Sequence, residues 1–338
     1  MKRNVRALIV LLRWAYGQRE RGDSQELSLF FEPFRRLCRE VRSFCYDEYW
    51  ENPTALEQNL QECVASYKPD IIFFTTYADQ FRPEFLDALK TKCRTIAWFG
   101  DDQWRFDDYS RRYALHYSTC VTTDKWAVSK YRALGADVVL SQWAADLATR
   151  VQEPLPPDGD YMYDVSFLGS HNAVRDWFVR KLLAQGVKVN CFGHNWPNGS
   201  VPNERIAEQF HRTRVNLNLS NSIQQDIRFV LDKPRSFVNW IRNTKRVEQM
   251  KARNFEIPLA GGFELSHYAP SLEDYFDIGK EIAIFTSPEE CALQIKYYLE
   301  NALERYQMAC RAHKRAVAEH TYLHRIAKIL DYVCDKAQ

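Results

Sequence analysis

Apolar residues recur along the chain in short, nearly continuous runs separated by longer stretches of helical period. The runs at 7–12 (ALIVLL), 41–46 (VRSFCY), 70–76 (DIIFFTT), 95–100 (TIAWFG), 119–123 (TCVTT) and 137–143 (DVVLSQW) are fit for buried strands. Continuous rather than alternating hydrophobicity is what a parallel sheet covered on both faces requires. Between them, 27–40 (LSLFFEPFRRLCRE), 53–67 (PTALEQNLQECVASY) and 83–90 (PEFLDALK) read as amphipathic helices. Pro53 and Pro83 stand where a first helical turn accepts proline, and Gly135 stands just past a helix end.

The segment 153–160 (EPLPPDGD) breaks the pattern, being rich in proline and poor in helix or strand formers, and reads as a linker. A second series follows: strands at 163–169, 187–193 and 215–220, a long irregular segment, a strand opening at Glu264, a strand at 281–287, then helix to the end. Two βα series joined by a linker predict two doubly wound parallel-sheet α/β (Rossmann-like) domains, with ligands outside the strand C-termini in a cleft between them. The boundaries expected are an N-terminal domain at 1–152, a C-terminal domain at 153–318, and a last helix at 319–338.

Bulk properties narrow the function. The 338 residues carry 46 basic and 44 acidic side chains, a net charge of +2, which argues against a nucleic-acid binder. The nine cysteines are scattered with no C-x-x-C pair, so neither a zinc site nor a disulfide framework is expected, and reduced thiols in a cytoplasm are. The run at 5–12 contains Arg6 and is followed by Arg13, too short for a bilayer and without a cleavage site, so it reads as a first strand rather than a signal peptide. No P-loop, dinucleotide glycine motif, H-E-x-x-H or nucleophile elbow occurs.

The strongest local signal is Glu256-Ile-Pro-Leu-Ala-Gly-Gly-Phe-Glu264, two glutamates separated by seven residues with Gly261 and Gly262 between them. Glycines there suit a sharp turn or a close approach to a ligand, and a carboxylate accepts hydrogen bonds from vicinal hydroxyls such as a ribose offers. The same spacing also fits two surface glutamates at a helix edge.

With Arg253-Asn254-Phe255-Glu256, Gly261-Gly262-Phe263, Gly279-Lys280-Glu281, Ser287-Pro288-Glu289-Glu290, Tyr297-Tyr298-Leu299 and His320-Thr321-Tyr322 followed by Arg325, the chain resembles the CgeB-like (spore-maturation-protein-like) glycosyltransferases from about Val165 to Arg325. That family is similar to retaining GT-B transferases with an E-x7-E motif. The resemblance implies a nucleoside-diphosphate-sugar (UDP, GDP or dTDP type) as donor substrate, no metal or other cofactor, and a glycan, lipid-linked or small-molecule acceptor. It also implies Glu256 facing the donor sugar and Glu264 holding the ribose, an acceptor-side role for 1–152, a nucleotide-sugar-binding role for 153–318, and a last helix at 319–338 that crosses back to the first domain.

Other candidates follow from position. Gly169 and Ser170 end a strand and open a helix holding Arg175, a place suited to a diphosphate, or simply a capped turn. Trp196 stacks on a nucleobase or packs under its loop. Asn218, with Asn216 and Ser220, lies on one face of its strand and either reaches the donor or orients the glycine loop. Arg253, beside Glu256, is the favoured phosphate ligand.

Asp101, at the end of the 95–100 run, is a candidate catalytic acceptor-side group or a helix N-cap. The segment 223–253 mixes Lys233, Arg235, Arg242, Lys245 and Arg246 with Phe229, Phe237 and Trp240. It reads as a solvated insertion, a diphosphate contact, or a peripheral contact with an anionic membrane at the cytoplasmic face. A catalytically silent sugar- or nucleotide-binding scaffold of the same fold, and a different nucleotide-dependent transferase or epimerase, are the rival functions.

Overall fold

The structure is a computed structural model, and it describes residues 2–151, 153–220, 222 and 226–335. Gln152, at the expected domain boundary, and residues 223–225, at the start of the expected basic insertion, lie outside the described residues, as do 336–338 of the last expected segment. The chain divides into two compact units. One is formed by the described residues up to Trp143 together with those from Tyr322 onward, the other by Ala144–Thr321.

In the first unit, β1 (Arg3–Leu11), β2 (Cys38–Cys45), β3 (Ile71–Phe74), β4 (Arg94–Phe99), β5 (Thr119–Thr122) and β6 (Val138–Leu140) form one parallel sheet in the order β2-β1-β3-β4-β5-β6. Residues Ala7, Leu8, Ile9, Val10 and Leu11 are all fully buried, as a central strand covered on both faces demands. Asn52 accepts the Ala55 amide at 3.0 Å and, with Pro53 in the first turn, starts the helix Pro53–Tyr67. The helix expected over 27–40 stops earlier. A π-helical stretch Leu27–Phe31 runs into the helix Glu32–Leu37, and Cys38 begins β2, because parallel pairing with β1 from Arg3↔Cys38 to Leu11↔Cys45 takes the backbone groups that another helical turn would use. The helix Tyr322–Asp335 belongs to this unit: Tyr322 meets Phe30 edge-on at 5.3 Å, and the Tyr332 hydroxyl donates to Asp137 at 2.7 Å.

In the second unit, β7 (Tyr163–Leu168), β8 (Asn190–Phe192), β9 (Thr213–Asn218), β10 (Glu264–His267) and β11 (Ala283–Phe285) form a parallel sheet in the order β11-β10-β9-β7-β8. Helices Ala173–Ala184 and Pro288–Glu300 pack on it, each begun by a side-chain cap: Asn172 accepts the Arg175 amide at 2.9 Å and Ser287 the Glu290 amide at 3.2 Å. The core gathers Val165, Phe167, Trp177, Val215, Leu217, Leu265 and Phe285. Strands β6, β8 and β11, at sheet edges, are three residues long, shorter than their apolar runs, whereas the edge strand β2 runs for eight.

The nine cysteines form no disulfide. Among the described residues, no helix is long and apolar enough to cross a membrane, and no cluster of three His, Cys, Asp or Glu side chains could hold a metal ion.

Candidate functional site

The C-terminal ends of β7 and β9 are tied together by two arginines. Arg253, the first residue of the helix Arg253–Leu259, sends Nε to the Asn218 Oδ1 at 3.2 Å, Nη1 to the Leu168 carbonyl and Nη2 to the Leu219 carbonyl at 3.1 Å. A guanidinium has five N–H donors, so one on each terminal nitrogen has no acceptor among the described residues. Burial pulls its pKa down to about 10, while the charges of Glu256 and Glu264 push the other way. Arg175 enters from the helix Ala173–Ala184 and donates to the carbonyls of Ser220 (3.1 Å), Ser170 (2.7 Å) and Leu219 (3.0 Å). Both guanidinium groups lie 5.1 Å from the Phe167 ring centroid, a cation–π seat at the floor of the site.

Gly169 has a reason to be glycine. A Cβ there would come 2.0 Å from Arg253 Nη1 and 2.8 Å from Phe167. Its carbonyl accepts the Trp196 indole N–H at 2.8 Å, and Trp196 meets His171 edge-on at 4.7 Å, so the indole packs under the glycine loop. Ser170 is exposed, and the amides of Ala173 and Val174 find no acceptor among the described residues, as expected for the first turn of a helix. Gly169, Ser170, Arg175, Trp196, Asn218 and Arg253 are thus brought together around one pair of strand ends.

Asn218 is committed at both ends of its amide, accepting from Arg253 and donating to Glu264 Oε1 at 2.9 Å. Glu264 is the first residue of β10, 1% exposed, and the same oxygen takes the Asn254 amide at 2.8 Å. Burial raises its carboxyl to about 7. Glu264 therefore acts through Asn218 on the orientation of Arg253.

Glu256 differs: it is half-buried, and its carboxylate takes no hydrogen bond among the described residues. Burial raises it to about 7 against the pull of Arg253, with Asp146 adding repulsion. Gly261 and Gly262 sit apart from the arginine pair. Gly261 has φ +69° after the helix, and a Cβ on Gly262 would meet Asn216 Nδ2 at 2.6 Å and the Phe210 carbonyl at 2.8 Å, so their turn is closed by the protein itself.

Sequence reasoning missed Glu248. It lines a small cavity with Arg175, Phe178, Ser220, Ser222 and His267, at the C-terminal ends of β9 and β10. His267 Nδ1 stands 3.4 Å from Glu248 Oε1, and the Ser222 hydroxyl donates to the same oxygen. Burial alone would raise this carboxyl, but the bonds from His267, Ser220 and Ser222 outweigh it and hold it below the ordinary range. The signal was available: Glu248 precedes Glu256 by the same spacing that separates Glu256 from Glu264.

In the first unit, Asp101 is half-buried at the end of β4, at the N-terminus of the helix Asp102–Arg105. Its neighbour Asp102 is buried, accepts from Thr122 at 2.6 Å and Tyr131 at 3.0 Å, and is raised to about 6 by burial. A second carboxylate, Glu26, was not anticipated. It accepts the Leu12 amide and the Thr75 hydroxyl, both at 2.8 Å, at the ends of β1 and β3, and burial raises it to about 7.

Two parallel-sheet Rossmann-like units with this strand order define a class, the GT-B architecture of glycosyltransferases. Residues 175–331 match the family model described as glycosyl transferase-like. Similar solved structures include HepE from Anabaena in complex with UDP and glucose (TM-score 0.63, 10% identity, 98% of this chain and 100% of that one). Sucrose-phosphate synthase from Thermosynechococcus elongatus is similar to the same degree (TM-score 0.63, 10% identity, 99% and 100%). A glycosyltransferase from Rickettsia africae follows (TM-score 0.60, 10% identity, 97% and 97%). No curated protein sequence matches the chain. The family match supports glycosyltransferase activity, and the solved structures show the shared fold.

Proposed function

We propose that the protein transfers a glycosyl group from a nucleoside-diphosphate sugar to an acceptor hydroxyl of a glycan, lipid-linked or small-molecule acceptor, with retention of anomeric configuration. The observation that carries the reading is the pair of arginines at the ends of β7 and β9, within the span that matches glycosyl transferase-like sequences. Arg253 keeps an N–H on each terminal nitrogen for a diphosphate, and the helix opening at Ala173 offers amides and a positive dipole end. Fixed donors aimed at the departing diphosphate lower the barrier by stabilising the charge that develops there.

Among the carboxylates, Glu256 is the better ribose ligand, because neither of its oxygens takes a hydrogen bond among the described residues and it is half-buried, while Glu264 is fully buried with two amides on Oε1 and an unpartnered Oε2 among the described residues. Glu248 then takes the sugar hydroxyls, which preserves the seven-residue separation with both members shifted towards the N-terminus. Within the first unit, Asp101 and Glu26, at strand ends, are the carboxylates suited to an acceptor hydroxyl. HepE was solved with UDP and with UDP-glucose, which makes uridine diphosphate the first donor class to test.

The test is a thermal-shift panel of UDP, GDP, dTDP, CMP and ADP, followed by donor hydrolysis and transfer assays. Selective stabilisation by one diphosphate, reduced in Glu256→Ala, is expected. No shift with any of them would sink the donor reading in favour of a silent scaffold. Similarity extends to a putative UDP-N-acetylglucosamine 2-epimerase from Listeria monocytogenes (TM-score 0.54, 10% identity, 93% and 94%). Nucleotide release without sugar incorporation into any acceptor would therefore favour the epimerase reading.

A further inference from the structure

The helix Pro234–Arg242 is inside out. At 100° per residue, Ser236, Asn239, Trp240 and Asn243 share one side and Val238, Ile241 and Pro234 the opposite one, with Phe237 at the edge between them, its ring stacked on Trp240 at 6.5 Å. Ser236 is buried and Trp240 packs on the sheet's core, so the inward side is mainly polar. The outward side is apolar: Phe237 is 48% exposed, Val238 41% and Ile241 54%. Leu231, just before the helix, is 74% exposed. A surface helix ordinarily points such residues at the core, so this stripe is built for something outside the chain.

Charge identifies the partner. From Lys233 to Arg246 the sequence holds Lys233, Arg235, Arg242, Lys245 and Arg246 and no acidic residue. Arg235 and Arg242 border the apolar stripe on one edge and make no ion pair among the described residues. The flanking acids are already engaged, Asp226 with Arg228 at 2.5 Å and Asp232 with Arg180 at 2.7 Å. A second copy docked face to face would set these cations against themselves, whereas an anionic bilayer supplies the opposite charge. The helix has nine residues, far short of the roughly 20 needed to span a bilayer, so it can only lie in the interface.

We propose that this helix docks the protein on an anionic membrane surface, with Phe237, Val238 and Ile241 entering the headgroup boundary and Arg235 and Arg242 meeting lipid phosphates. The proposal does not depend on the donor reading, because docking is measured without nucleotide.

The experiment is co-sedimentation of the full chain with phosphatidylcholine vesicles, with and without about 30 mol% phosphatidylglycerol, at low and high salt. The wild-type protein is expected to bind the anionic vesicles at least about fivefold more than neutral ones, and less at high salt. Phe237→Ser with Ile241→Ser should lower the partition about tenfold or more, and Arg235→Glu with Arg242→Glu should abolish the preference for anionic lipid. These positions are exposed, and an unchanged thermal melt confirms folding. Absence of wild-type binding to anionic vesicles overturns the proposal, as does equal binding by both double variants. A concentration-dependent dimer in sedimentation velocity, made monomeric by the serine pair while vesicles stay unbound, would assign the face to self-association instead.

Discussion

The two sheets share a topology and finish their strands in opposite chemistry. In the first unit, carboxylates collect at the ends of β1 and β3: Glu26 accepts the Leu12 amide, and Asp47 accepts the amides of Arg13 and Trp14, each at 2.8 Å. In the second, guanidinium groups collect at the ends of β7 and β9 and donate to carbonyls. Parallel strands present the same unsatisfied backbone at their C-termini in both units, so the backbone does not decide what binds. Side chains do. A cationic, glycine-lined end suits a diphosphate, and an acidic end suits a hydroxyl that must be oriented or relieved of a proton.

The sharpest way to break this comparison is Arg253→Ala. It strips partners from the Leu168 and Leu219 carbonyls and the Asn218 side chain together, so a loss of about 2–4 kcal/mol in urea unfolding is expected. Diphosphate affinity, read by calorimetry, should fall at least about tenfold, from one lost charged contact. Arg253→Lys, which keeps the charge without the fork, should recover only part of either. Undiminished affinity in the alanine variant would remove Arg253 from the donor site.

Glu26→Gln probes the other unit. Nucleotide affinity should stay at the wild-type value while kcat for transfer drops about 100-fold or more, as expected for a positioned acid–base group. A parallel drop in nucleotide affinity would show that the two units do not divide the labour as their chemistry suggests.

The smallest effect concerns pH. Glu264 has its folded-state pKa raised from the ordinary 4.5 to about 7. Between those values the folded protein holds a proton that the unfolded chain has released, so this group's contribution is fully present below pH 4.5 and is lost as pH rises through 7. Glu264→Gln keeps an acceptor for Asn218 and Asn254 and removes the titration. The variant should melt higher relative to wild type at pH 8 than at pH 5, and a constant difference across that range would contradict the assignment.

Much of the fold was legible because buried parallel strands need unbroken apolar runs. The runs at 7–12, 95–100 and 163–169 appear as β1, β4 and β7 within a few residues. The early end of the helix at Leu37 was not legible, since it depends on β2 pairing with β1 thirty-five residues away at Arg3↔Cys38. The cluster of Gly169, Ser170, Arg175, Asn218 and Arg253 was legible as chemistry next to strand ends. The engagement of Asn218 and Glu264 with each other was not.

By itself, then, the sequence determined the strand–helix alternation, the caps at Asn52, Asn172 and Ser287, and the glutamate spacing, because these are set by periodicity and by local hydrogen bonding. Only the tertiary structure decided which glutamate is free. Glu256 and Glu264 are alike in sequence, but the amides of Asn218 and Asn254 hold Oε1 of the buried Glu264 in the fold, while Glu256, half-buried on its helix, takes no hydrogen bond among the described residues. It also decided that Pro234–Arg242 turns its apolar side outward, because the inward side is fixed by the seat of Trp240 and Ser236 rather than by hydrophobicity along the chain.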